Sequence, residues 1–138
     1  MEVTANGTKA AIIRGGMSYT AEQGSDYQPG VSAEMVGSEH LFLGQVTLPP
    51  GRRTKAHTHE RHETAMYMIS GEPIDVYSCR NLEHHQLISP GGYLYIPANV
   101  LHVAVNRTAT PAVFMGSRNE ATVNESVVLY PQMDASVP

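Results

Sequence analysis

The sequence predicts an all-β fold whose short strands close into a barrel, and three observations predict it. From residue 31 onward, short apolar and β-branched runs alternate with turns that carry Pro or Gly. No segment keeps a 3.6-residue apolar repeat over three turns, which argues against a helical bundle. Two remote stretches place histidines on strand-like runs, and a closed barrel is the simplest way to make them meet.

Residues 1–30 read as a loosely patterned arm. Within it, Lys9–Arg14 (Lys-Ala-Ala-Ile-Ile-Arg) is a candidate edge strand stopped by Gly15-Gly16, and Gly24–Gly30 reads as loop by composition. The barrel is assigned to residues 31–130. Its candidate strands are Val31–Val36, Leu41–Leu48, Lys55–His59, Thr64–Ser70, Ile74–Cys79, His84–Ile88, Tyr93–Ile96, Leu101–Val105 and Ala112–Ser117. Pro49-Pro50-Gly51, Ser70-Gly71-Glu72-Pro73 and Ser89-Pro90-Gly91-Gly92 supply the reversals, because Pro and Gly meet the backbone angles of tight turns. Val123–Tyr130 is a candidate last strand that packs on a partner or on the outside of the barrel. Residues 131–138 read as a ragged tail. An immunoglobulin-like sandwich is the alternative, and the absence of Trp and of a Cys pair argues against it.

Composition narrows the function. A chain of 138 residues, 41% hydrophobic, suits one domain with one core. No apolar stretch approaches the ~20 residues of a membrane span, and no secretory leader is recognisable. Nine basic residues against thirteen acidic ones argue against a nucleic-acid partner. Arg52, Arg53 and Lys55 read as a solvated edge. The single cysteine, Cys79, forms no internal disulfide, reads as an inert buried thiol, and fits a cytoplasmic location.

The chemistry concentrates in two stretches. In Gly51–Glu63, His57 and His59 stand two residues apart, so one strand presents both on the same face. In Gly91–Asn106, His102 interrupts the apolar run Val100–Val105, where its ring nitrogens need partners. A metal on one nitrogen and a carbonyl or carboxylate on the other would satisfy them. His57, His59 and His102 are therefore candidate metal ligands. Mixed imidazole and carboxylate donors suit Mn, Fe, Ni, Zn or Cu, whereas Mg and Ca prefer oxygen.

The same residues resemble the cupin family. Gly51, His57, His59, Glu63 and Gly71 follow its first motif, with Glu63 one place early so that Thr64 takes the usual Glu column. Gly91, Pro97, His102 and Asn106 follow its second, with Asn99 where Gly is usual; Asn tolerates positive φ better than most residues. The resemblance implies a single-domain cupin, a double-stranded β-helix or jelly-roll β-barrel with one divalent metal inside. It also implies a homodimer, in which Lys9–Arg14 exchanged between subunits would cover the barrel edge.

The fourth ligand stays open between Glu63 and His62, with Glu63 favoured. If Thr64 points inward, Met66 and Met68 do too, His62 shares their parity, and Glu63 points away. A bulge near Glu63 would reverse this. Either His62 or Glu63 is also a candidate acid/base group. Met66, Met68 and Tyr95 are candidate pocket residues, Tyr95 through a hydroxyl that could orient a substrate oxygen. His84 and His85 read as surface residues, and Asn106 as a side chain closing its strand end through backbone hydrogen bonds.

The resulting expectation is a metal-binding enzyme for a small oxygen-rich molecule: a carboxylic acid, sugar, enol or catechol-like ring. Lewis-acid or dioxygenase chemistry fits such a site. A non-catalytic binding or sensory module, and a metal-free isomerase or epimerase using the histidines as acid and base, are the rivals.

Overall fold

In the computed structural model, residues 9–138 are described. Among these described residues, eleven strands form two antiparallel sheets. In chain order they are β1 (Tyr19–Thr20), β2 (Asp26–Val31), β3 (Phe42–Leu48), β4 (His57–His59), β5 (Thr64–Ser70), β6 (Ile74–Ser78), β7 (His84–Ile88), β8 (Tyr93–Ile96), β9 (His102–Val105), β10 (Ala112–Arg118) and β11 (Val127–Leu129). One sheet runs β1-β2-β3-β10-β5-β8, the other β11-β4-β9-β6-β7. Among the described residues no helix is long and apolar enough to cross a membrane.

The alternation along β3 shows how the barrel fills. Phe42, Val46 and Leu48 are buried while Leu43 is exposed, the period of two that a half-buried strand requires. With Tyr27, Met68, Ile74, Val76 and Phe114 they form the apolar core between the sheets. A second cluster lies behind the five-stranded sheet, where Ala56, Leu101, Val103 and Val105 pack with Leu82 and Val137. Strands β4 and β9 are thus covered on both faces, and this double cover buries their histidines.

Two backbone positions pin turns of the barrel. Gly71 has φ +115°, and a Cβ there would stand 2.6 Å from the Pro111 carbonyl oxygen, so only glycine fits. Asn99 has φ +64°, as its place in the second motif implied, and its N–H donates to the His59 carbonyl at 2.8 Å. Asn106 donates to the carbonyls of Leu48 (2.9 Å) and Thr110 (2.8 Å), the strand-closing role expected of it.

Several expectations are corrected. Lys9–Arg14 forms no strand. Val31–Val36 is no single strand: Val31 ends β2, and Ala33–Val36 is one helical turn. Ser32 caps that turn by accepting the Met35 N–H, and left-handed Gly37 ends it. Gly24–Gly30 is not all loop, since Asp26–Val31 is a strand. Pro29 is tolerated because β1 pairs only with Asp26 and Tyr27, and what meets Pro29 on that edge is the Gly16 N–H, which donates to its carbonyl at 2.7 Å and asks for no proline N–H. The last strand lies within a sheet, as β11 pairs with β4. The tail is a 3-10 helix, Pro131–Ser136, tied down by Arg53, which donates to the carbonyls of Asp134 and Val137. Cys79 is exposed at φ +84°, in the turn after β6, where no apolar surface covers it.

Candidate metal centre

Strand pairing explains why the three histidines meet. His57 on β4 stands directly opposite His102 on β9, and His59 lies two residues along β4 on the same face. Ring centroids are 4.1 Å apart for His57 and His102, 4.7 Å for His59 and His102, and 5.0 Å for His57 and His59. Each ring offers a nitrogen within 4.8 Å of the other two.

Their far nitrogens are already engaged. The Lys55 carbonyl lies 2.6 Å from His57 Nδ1, and the Val100 carbonyl 2.9 Å from His102 Nδ1. Carbonyls only accept, so both Nδ1 atoms carry the proton and both Nε2 atoms keep a free lone pair. Thr64 Oγ1 stands 3.3 Å from His59 Nδ1. His59 Nε2 is the one buried side-chain polar atom among the described residues with no hydrogen-bond partner. Such an orphan is costly unless something binds it. This donor set fits a divalent transition ion.

Protonation favours the same role. Burial, then the neighbouring His59 ring, pushes the His57 imidazole down to about 4. Burial, then the His102 ring, takes His59 to about 3. Burial, then the His57 ring, takes His102 to about 3. All three are neutral at pH 7, the form a metal requires.

The histidines open onto a cavity of about 60 Å³. Gln23, Ser25 and Thr54 add polar atoms near them, while Val46, Met66, Ile74, Leu94, Ile96 and Phe114 make apolar wall. At roughly 10–15 Å³ per water centre, this admits a few waters or one molecule of a few heavy atoms.

The other expected site residues divide. Met66 lines the cavity. Met68 shares its parity but is wholly buried in the apolar core. Tyr95 is exposed and donates its hydroxyl to Glu63 at 2.7 Å, outside the barrel. Glu63 is exposed and stands apart from the histidine cluster, because Thr64 keeps the inward parity and no bulge intervenes before β5. His62 is inside and fully buried, but faces two carboxylates instead of the cavity. His84 and His85 are exposed.

Sequence reasoning missed Glu125. Its carboxylate is buried beside the histidines, with Oε2 2.8 Å from His62 Nε2 and 3.5 Å from His59 Nε2. Gln23 donates to Oε1 at 3.0 Å, and the Arg118 guanidinium lies 3.7 Å from it. Burial alone would raise this carboxyl, but the His62 hydrogen bond, then the His59 ring and the Arg118 charge, outweigh it and hold it down to about 2. Arg118 is itself buried against the Phe42 ring. Glu125 comes from the irregular stretch before β11, where no spacing or motif marks it.

An antiparallel barrel with an inward-facing histidine cluster defines a class of protein, a small β-barrel built around a candidate metal centre. The chain belongs to the cupin family, whose domain model matches residues 44–116. No curated protein sequence gives a significant match. Solved structures resemble it in fold. An oxalate oxidase superposes with TM-score 0.65 at 20% identity, covering 80% of this chain and 57% of its own. Peruvianin-I, a cysteine peptidase from Thevetia peruviana latex, gives TM-score 0.69 at 21% identity, covering 91% and 82%. KdgF from Halomonas sp. gives 0.59 at 19%, covering 76% and 87%. The chain thus spans little more than half of the oxalate oxidase it resembles.

Proposed function

We propose that this cupin holds one divalent transition ion on His57, His59 and His102, and acts there as an enzyme on a small oxygen-rich molecule. The observation that carries the reading is the convergence of three buried, neutral imidazoles, with His59 Nε2 left without a partner. A bound ion would supply Lewis acidity toward a substrate oxygen or, if redox-active, dioxygenase chemistry. The chain's own residues would do the rest. The Lys55 and Val100 carbonyls fix the tautomers of His57 and His102 and aim their rings. The apolar wall around Met66 and Phe114 keeps bulk water from the reacting oxygen and strengthens electrostatic contacts. The cavity volume favours a small carboxylic acid or enol over a whole sugar chain.

Metal analysis of protein purified without chelator tests this. Near-stoichiometric metal in the wild type and its loss in His102→Ala, with a folded circular-dichroism spectrum, is expected. A metal-free wild type would favour the isomerase alternative. Turnover on a panel of small acids and enols separates an enzyme from a binding module.

The partner reading also takes a specific form. Met115, Tyr67 and Tyr93 lie directly opposite one another on β10, β5 and β8, all exposed. Leu43 and Ile69 extend this apolar face, which supports pairing with a second copy. Tyr93→Glu should convert a dimer to a monomer by light scattering, and a monomeric wild type refutes the pairing.

A further inference from the structure

We infer that Glu125 is the carboxylate ligand of this site, replacing the one its first motif lacks. The inference rests on the three-histidine reading above. Strand β5 offers Thr64 at the column where the family motif carries Glu, and Glu63 points to solvent. The carboxylate is instead delivered from the far end of the chain. Strand β11 pairs with β4, Val127 opposite His59, so the residues just before it run alongside the 60–63 turn. That register carries Glu125 to His59 and His62.

The spacing between Glu125 and His59 suits a shared ion, and His59 is common to the His57–His59–His102 cluster and to the cluster of His59, His62 and Glu125. Two donors at ~2.1 Å from one first-row ion stand ~3.0 Å apart in octahedral and ~3.4 Å apart in tetrahedral geometry. His59 Nε2 and Glu125 Oε2 are 3.5 Å apart, and no hydrogen bond joins them. In the tautomer that metal binding at Nε2 requires, His59 Nδ1 donates to Thr64 Oγ1 and the Nε2 lone pair faces that oxygen. Two electron-rich atoms facing one another in a buried site are an arrangement that a cation between them stabilises.

The carboxylate is also held in the way ligating carboxylates are. Its two oxygens divide their tasks. Oε1 takes the Gln23 amide and the Arg118 charge, while Oε2 faces His62 and His59. A carboxylate oxygen can accept one hydrogen bond and still bind a metal through its second lone pair. His62 is then a positioning residue. Its Nε2 contacts Glu125, while Nδ1 lies 3.3 Å from Ser126 Oγ and 3.2 Å from Glu120 Oε1, so the ring is clamped on both sides. This explains a fully buried histidine that touches no cavity.

The test uses cobalt(II) as the probe on the full chain. Affinity is measured by chelator competition, and coordination by the visible d–d bands. Wild type, His102→Ala, Glu125→Gln and Glu125→Asp are compared. Glu125→Gln should bind cobalt at least tenfold more weakly and shift the d–d bands. Glu125→Asp, shorter by one methylene, should fall between. In the wild type, cobalt should also shift a carboxylate stretch in the infrared difference spectrum, a measurement that needs no variant to fold. If His102→Ala loses cobalt while Glu125→Gln keeps wild-type affinity and bands, Glu125 is not a ligand and the histidine reading stands. An unshifted carboxylate stretch in the wild type overturns the assignment equally. A wild type that binds no cobalt overturns both.

Discussion

Replacing His102 by Gln in metal-free protein should remove a specific part of its acid sensitivity. In the native fold this imidazole is held near 3, chiefly by burial, whereas in the unfolded chain it has its ordinary value of 6.5. The unfolded state therefore binds the proton first as pH falls. The contribution to stability is full above 6.5 and is lost as pH drops toward the native value. Between pH 7 and pH 5 the unfolded chain gains about 1.9 kcal/mol from protonating one such ring, while the native ring stays neutral. A native value anywhere below 4 gives nearly the same figure. Urea unfolding at several pH values measures it. Wild type should lose ~2 kcal/mol more than His102→Gln between pH 7 and pH 5. Glu125, held near 2, does not blur the window, because its contribution is lost only below its ordinary 4.5. A difference between the two proteins that stays constant with pH would refute the claim that the ring is buried and neutral.

Two further outcomes are expected. Gly71→Ala places a Cβ 2.6 Å from the Pro111 carbonyl at a positive φ, so it should cost ~2 kcal/mol or more; a thermal midpoint within a degree of wild type would contradict this. Glu63→Gln removes an exposed contact with Tyr95 and should leave both cobalt affinity and the thermal midpoint unchanged; a drop in affinity would return Glu63 to the ligand set.

The parts of this molecule that were legible in the sequence are those written locally. His57-Thr58-His59 and His102 are read by strand parity, and Asn99 by its tolerance of a left-handed backbone. Strands Thr64–Ser70, His84–Ile88 and Tyr93–Ile96 have the bounds that their turn residues implied. What was not legible depends on pairing at a distance. Whether Pro29 ends a strand depends on how short β1 is. Glu125 comes beside the histidines only because β11 docks on β4 in one register, and neither of the two glutamates in residues 119–126 carries a sign of that. The helical turn at Ala33–Val36 was missed for another reason. Its cap, Ser32, and its stop, Gly37, bracket so few residues that the β-branched flanks read as strand.

Because His57 and His102 are cross-strand partners, the proposed ion capture would be tied to sheet alignment. Sliding β9 by a single residue against β4 would turn residue 102 to the opposite face and bring Leu101 or Val103 into its place. An ion held on the proposed ligands would therefore act as a clasp that accepts only the correct threading. Any slipped conformer would reveal itself as protein unable to take up metal while its strand content looked intact.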